Sequence, residues 1–120
     1  FCSTPMVALS RNVARKHAME MLLAGDIISA EKAAAIGLVN EAVAAGQERA
    51  RAIELALQFA TKSSHVIGIG KAAFYRQIEM PLAQAYDYAS KVMTENMMAR
   101  DSEEGIGAFI EKRDPSWEDR

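Results

Sequence analysis

The residues able to do chemistry in this chain are few and scattered. His17 and His65 lie far apart, and neither has cysteine or acidic neighbours at the spacing a metal site needs. Cys2 is the only cysteine. It would act as a nucleophile only beside a base, the sequence places none near it, and a buried structural thiol is the better reading. The stretch GIGKAAF at Gly68 has glycines and a lysine, but no strand precedes it to build a phosphate-cradling loop. No G-x-S-x-G elbow is present. The 16 carboxylates fall mostly on predicted solvent faces, where they serve solubility and helix pairing. Arg11, Arg15 and Lys16 could bind a phosphate, although a solvated junction between helices explains them better. Taken alone, the residue types reveal no active site.

The elements that would position any such residue are helical. Pro5 fits a first helical position, with Thr4 as N-cap and a helix running to about residue 13. HAMEMLLAG forms a second helix closed by Gly25. Ser29 then caps a third, with Glu31 at its positive end and Gly37 just past its last turn. Residues 38–43 are short and partly β-branched, an extended connector or minor strand at most. The 47–62 segment carries a stripe of Ile53, Ala56, Leu57 and Ala60, flanked by Leu55 and Phe59. A helix over 66–80 must tolerate Gly68 and Gly70. Pro81 opens the next, with Leu82, Tyr86, Ala89 and Met93 on one face. SEEGIGAFIEKR reads as a terminal helix capped by Ser102, with Glu103 and Glu104 near its positive end. The fold class is all-α.

Bulk properties narrow the function further. A chain of 120 residues, 50% apolar and 25% charged, is that of one globular domain. Such a chain should bury roughly two-thirds of its unfolded surface. A net charge of -2 gives no electrostatic reason to expect nucleic acid or an anionic membrane as partner. No apolar run approaches the ~18 residues that span a bilayer. One cysteine suits a reducing, cytoplasmic setting.

The stretch AMEMLLAGDIISAEKAAAIGLVNEAV closely resembles the enoyl-CoA hydratases and isomerases, the crotonase family, at the segment that follows their glycine-rich active-site loop. The likeness runs on through KAAFYRQ and ends in EGIGAFIEKRDPSW, similar to the family's C-terminal helix. It therefore covers essentially the whole chain. It implies the helical C-terminal region of a crotonase-like fold. The ββα spiral core, both oxyanion-hole segments and both acidic residues of a hydratase would lie before Phe1, leaving no catalytic residue in this chain. Within a single helical domain, 1–120, residues 1–5 would end the active-site loop. Residues 6–101 would form a helical oligomerisation region, and 102–113 a helix near coenzyme A.

The resemblance also implies a job. A full-length relative binds an acyl-CoA thioester in fatty-acid metabolism and polarises its carbonyl with two backbone N–H groups. It then hydrates or isomerises a 2-enoyl-CoA with carboxylate acid–base chemistry. Coenzyme A is part of the substrate, so no separate cofactor and no metal is expected. The family's aromatic residue and lysine that approach the adenine and 3′-phosphate of coenzyme A match Phe109 and Lys112. One helical turn apart, these two should share a face. In the active-site loop, Cys2, Ser3, Thr4 and Pro5 depart from the usual small, glycine-rich residues. Family members form trimers, often paired as hexamers, which gives the apolar stripes and Met93, Met97 and Met98 a use beyond one small core. A eukaryotic source would make the protein mitochondrial. The rival reading is a stand-alone helical interaction module without catalysis, and the coding sequence before Phe1 separates the two.

Overall fold

The computed structural model describes residues 1–120 and is helical throughout, with no strand. Its seven helices are α1 (Pro5–Asn12), α2 (Arg15–Ala24), α3 (Ala30–Ala35), α4 (Glu48–Ala60), α5 (Ser64–Gln77), α6 (Leu82–Met97) and α7 (Arg100–Glu111). Read from the sequence as a single helical domain over 1–120, the chain forms two compact units, Phe1–Arg51 and Ala52–Arg120, whose boundary falls inside α4.

In the first unit α1 packs on α2, burying Val13 and Ala18, and α3 buries Ala33. Pro5 opens α1 as its residue type suggests, but Thr4 does not cap it with its side chain. Its backbone is already helical (φ -71°, ψ -46°), whereas a capping oxygen folds back only from an extended residue. Ser29 is such a residue (ψ 162°), and its Oγ accepts the Lys32 N–H at 3.2 Å. Gly25 closes α2 at φ +70°, a left-handed conformation that suits glycine, with its N–H donating to the Met21 carbonyl at 3.1 Å. Residues 38–43 make turns and bends with no strand pairing, and Glu41 forms an ion pair with Arg51.

In the second unit α5 lies along α6, and α7 packs against both. Ser63 caps α5, its Oγ accepting the Val66 N–H at 3.1 Å, so the helix starts two residues earlier than the apolar pattern suggests. Gly68 and Gly70 sit inside it without a break. Helix α7 also begins early, and Ser102 lies within it instead of capping it. The Ser102 hydroxyl donates to the Asn96 carbonyl at 2.6 Å, tying α7 to the end of α6. Arg76 stacks its guanidinium 4.9 Å from the Tyr88 ring across α5 and α6.

The apolar periodicities are real, but the chain covers only part of them. On α6 the half-buried residues are Ala85, Tyr88, Val92 and Asn96, while Leu82, Tyr86 and Met93 are exposed. The two faces are about a quarter-turn apart on a helix of 100° per residue. On α4, Ile53, Leu57 and Phe59 are exposed and Leu55 is half-buried. The fully buried hydrophobic residues are only Val13, Ala18, Ala33 and Ala108. The chain exposes 9600 Å² where a compact monomer of 13.1 kDa would expose about 6,400 Å², and it buries roughly half of its unfolded surface, not two-thirds.

Gly25 and Gly68 should respond oppositely to the same substitution. Neither has an atom within 4 Å of an added Cβ, so backbone conformation alone sets the sign. Gly25→Ala should cost about 1 kcal/mol at its positive φ, and Gly68→Ala should gain about 0.5–1 kcal/mol within its helix. Shifts of the urea midpoint in opposite directions are the expected result.

Candidate functional site

The second unit contains an apolar groove of about 500 Å³, the size that holds most of a small ligand. One wall is α7, whose Asp101, Gly105, Ile106 and Phe109 follow the three-to-four residue spacing of a single helical face. Val66 and Ile67 of α5, Met97 of α6 and the indole of Trp117 complete the apolar lining, with Lys62 and Ser63 also contributing. The Phe109 ring is 84% exposed.

Trp117 belongs to the tail after α7, and it reaches the groove through a built slot. Its ring lies 3.3 Å from where a Cβ on Gly105 would stand, so this glycine is where the indole closes on the helix. Its Nε1–H donates to the Thr61 carbonyl at 2.8 Å. A tryptophan with its polar atom satisfied and its ring against apolar surface is well placed to fix a chain segment.

Beneath the groove lies Asp101, only 1% exposed. Burial pushes its carboxyl up, but the Ser63 hydroxyl, the Glu118 and Asp119 N–H groups and the charge of His65 outweigh that and hold it below the usual aspartate range. Oδ1 accepts the Glu118 N–H at 2.7 Å and Oδ2 the Asp119 N–H at 3.0 Å. The Asp101 N–H in turn donates to the main-chain oxygen of Arg120 at 2.9 Å. Asp119 passes the connection on, its Oδ1 accepting the Ser64 N–H at 2.8 Å. Glu104 holds the other end of the tail. It accepts both Arg113 Nη atoms, at 2.6 and 3.0 Å, and the Ser116 N–H at 2.8 Å.

The residues singled out in the sequence meet different fates. Phe109 lies on the groove. Lys112 does not share its face: α7 ends at Glu111, and Lys112 adopts a left-handed conformation (φ +55°) that swings its Cβ off the helical track. Cys2, Ser3 and Thr4 lie at the entrance to α1 in the first unit, and Cys2 is exposed, not the buried thiol expected. No neighbouring element of its own unit covers it. Gly68 to Phe74 is interior helix, so GIGKAAF forms no loop. His17 is 3.8 Å from Glu20, and no three metal-ligating side chains converge. Asp101, Glu104 and Ser63 went unrecognised because acids and serines near helix starts look like ordinary caps. Trp117 did leave a signal: a large aromatic in the polar run DPSWEDR needs somewhere to bury.

Comparison with known proteins gives one consistent result. A family model described as enoyl-CoA hydratase/isomerase matches residues 2–120. The rat mitochondrial enoyl-CoA hydratase domain-containing protein 3 is 46% identical over 98% of this chain and 39% of its own length; the human protein is 44% identical over the same shares. Among solved structures, an enoyl-CoA hydratase of Mycobacterium smegmatis superposes with a TM-score of 0.91 at 46% identity. The match covers 98% of this chain and 46% of that one. Human enoyl Coenzyme A hydratase domain-containing protein 3 gives 0.88 at 44%. The chain thus spans less than half the length of the relatives it matches. No helix is long and apolar enough to cross a membrane.

The Glu104 anchor has a pH signature. The Arg113 hydrogen bond, then the Ser116 N–H, lowers its carboxyl from 4.5 to about 2. Because the folded value is the depressed one, the stabilisation is complete above pH 4.5 and fades as pH falls toward 2. Glu104→Gln should remove this part of the acid dependence while leaving the neutral-pH slope unchanged, as read from urea unfolding across pH 2–6.

Proposed function

Since the chain belongs to the enoyl-CoA hydratase/isomerase family, we propose that it is the helical portion of a protein acting on acyl-CoA thioesters. The family match is the observation that carries this reading. The reaction is hydration or isomerisation of a 2-enoyl-CoA in fatty-acid metabolism, and coenzyme A enters as part of the substrate, not as a resident cofactor. Support for a ligand role within these residues comes from Phe109. An aromatic ring left 84% exposed beside a 500 Å³ apolar groove offers a stacking face to the adenine end of coenzyme A. Lys112, just past the same helix, supplies a mobile positive charge for a phosphate from outside the ring's face. Cys2, Ser3 and Thr4 line the acyl end as part of the active-site loop.

The same residues have a second task, assembly. Exposed Leu82, Tyr86 and Met93 on α6 and exposed Ile53 and Leu57 on α4 form stripes of the kind that subunit interfaces cover. A homotrimer, or a hexamer of paired trimers, is the assembly proposed. The catalytic carboxylates and oxyanion donors are not supplied by these 120 residues, so the isolated chain is inactive. The compartment is the mitochondrial one in a eukaryotic host, in keeping with the names of the animal relatives, and the cytoplasm otherwise.

Phe109→Ala in the protein that carries this chain should weaken binding of crotonyl-CoA roughly 5- to 100-fold, the worth of one stacked base. Lys112→Ala should have a smaller effect that shrinks as salt rises. Isothermal titration checks both, and an unchanged affinity in Phe109→Ala would remove the stacking role. The purified 120-residue chain should show no hydration of crotonyl-CoA, and turnover would overturn the inactive reading. Sedimentation as a clean monomer at tens of micromolar would count against assembly through these faces.

A further inference from the structure

Residues 114–120 form no helix or strand, and they are held to the second unit at a handful of points. Asp101 supplies three of those points, through its two carboxylate oxygens and its own N–H. Glu104 holds the Ser116 end, and Asp119 reaches back to the first turn of α5. Trp117 makes the one apolar contact, in the slot left by Gly105. The other six residues of the segment are exposed. Asp119 is also held at φ +59°, where a non-glycine residue is strained and relaxes once its partners let go. A segment with six exposed residues, one strained residue and three of its hydrogen bonds gathered on Asp101 opens locally, ahead of the helices beneath it.

We propose that residues 114–120 are a strap that opens and closes as one piece on the groove, with Asp101 as its catch. Closed, the strap gives the groove its Trp117 wall; open, the groove loses that wall and Gly105 becomes accessible. The two forms exist whatever the groove binds, so the strap stands apart from the coenzyme A reading.

Asp101→Asn in the full chain tests this directly. The amide keeps the shape but offers one acceptor where the carboxylate offers two, so its NH₂ opposes a strap N–H. Losing hydrogen bonds to a charged acceptor should shift the closed-to-open ratio by roughly ten- to a hundredfold. Trp117 is the only tryptophan, so its emission and its quenching by acrylamide read the strap alone. Trypsin cleavage after Arg113 severs the strap from α7 and gives a rate. The expected result is a red-shifted, more readily quenched indole and tenfold or faster cleavage, with the far-ultraviolet circular dichroism unchanged. Glu104→Gln, which loosens one end only, should move both readouts the same way by less. Unchanged emission and cleavage in Asp101→Asn would overturn the proposal. Should that variant lose its helices, Glu104→Gln decides alone through the indole: a red-shifted, more readily quenched emission with helices intact supports the strap, and unchanged emission or lost helices sinks it.

Discussion

The second unit turns on a carboxylate taken out of water. An ionised Asp101 at 1% exposure would be a heavy liability if its oxygens were unmatched. Here donors reach it from three directions: the Ser63 hydroxyl at the start of α5 and two main-chain N–H groups of the tail. None of these three donors belongs to α7 itself. Satisfying one buried charge therefore requires that α7, the N-terminus of α5 and residues 118–119 come to one place. The groove is the space left between them once this has happened.

This explains how a unit with so little buried hydrocarbon can have a defined site. Ala108 is its only fully buried hydrophobic residue, and packing of alanine alone specifies position weakly. Directional bonds do the specifying: the Ser63 cap on Val66, the Ser102 hydroxyl on Asn96, the Glu104 fork on Arg113 and the Trp117 indole on Thr61. Hydrophobic surface is instead left over, on the outward faces of α4 and α6 and at Phe109 and Ile110. The chain exposes half again the surface of a compact monomer of its mass. Family membership gives that surplus a meaning, since the relatives that match it are more than twice its length.

The groove and the surplus also divide the functional question. A stacking ring at Phe109 and a cation after α7 are features a nucleotide can use, and they are carried by the second unit. The loop at Cys2, Ser3 and Thr4 is carried by the first, where the thiol is exposed. In the proposed reading the two ends of a thioester would meet separate parts of the chain.

The order and type of the helices were legible in the residues, because local physics sets them. Proline and serine mark starts such as those of α1 and α3, glycine at positive φ marks the end of α2, and apolar residues at three-to-four spacing mark what lies between. The family was legible too, in two blocks of sequence in the right order, and with it the interest of Phe109. What sequence could not supply was which apolar face would be covered, since α4 and α6 each display more than one and periodicity does not name a partner. Nor could spacing show that Lys112 leaves the helix or that Cys2 is exposed, because both depend on where neighbouring segments run. Asp101, Ser63 and Trp117 are far apart in the chain, and only folding brings the donors to the charge. Tertiary structure decided the site, for the physical reason that a buried carboxylate must be matched, and here its donors come from segments outside its own helix.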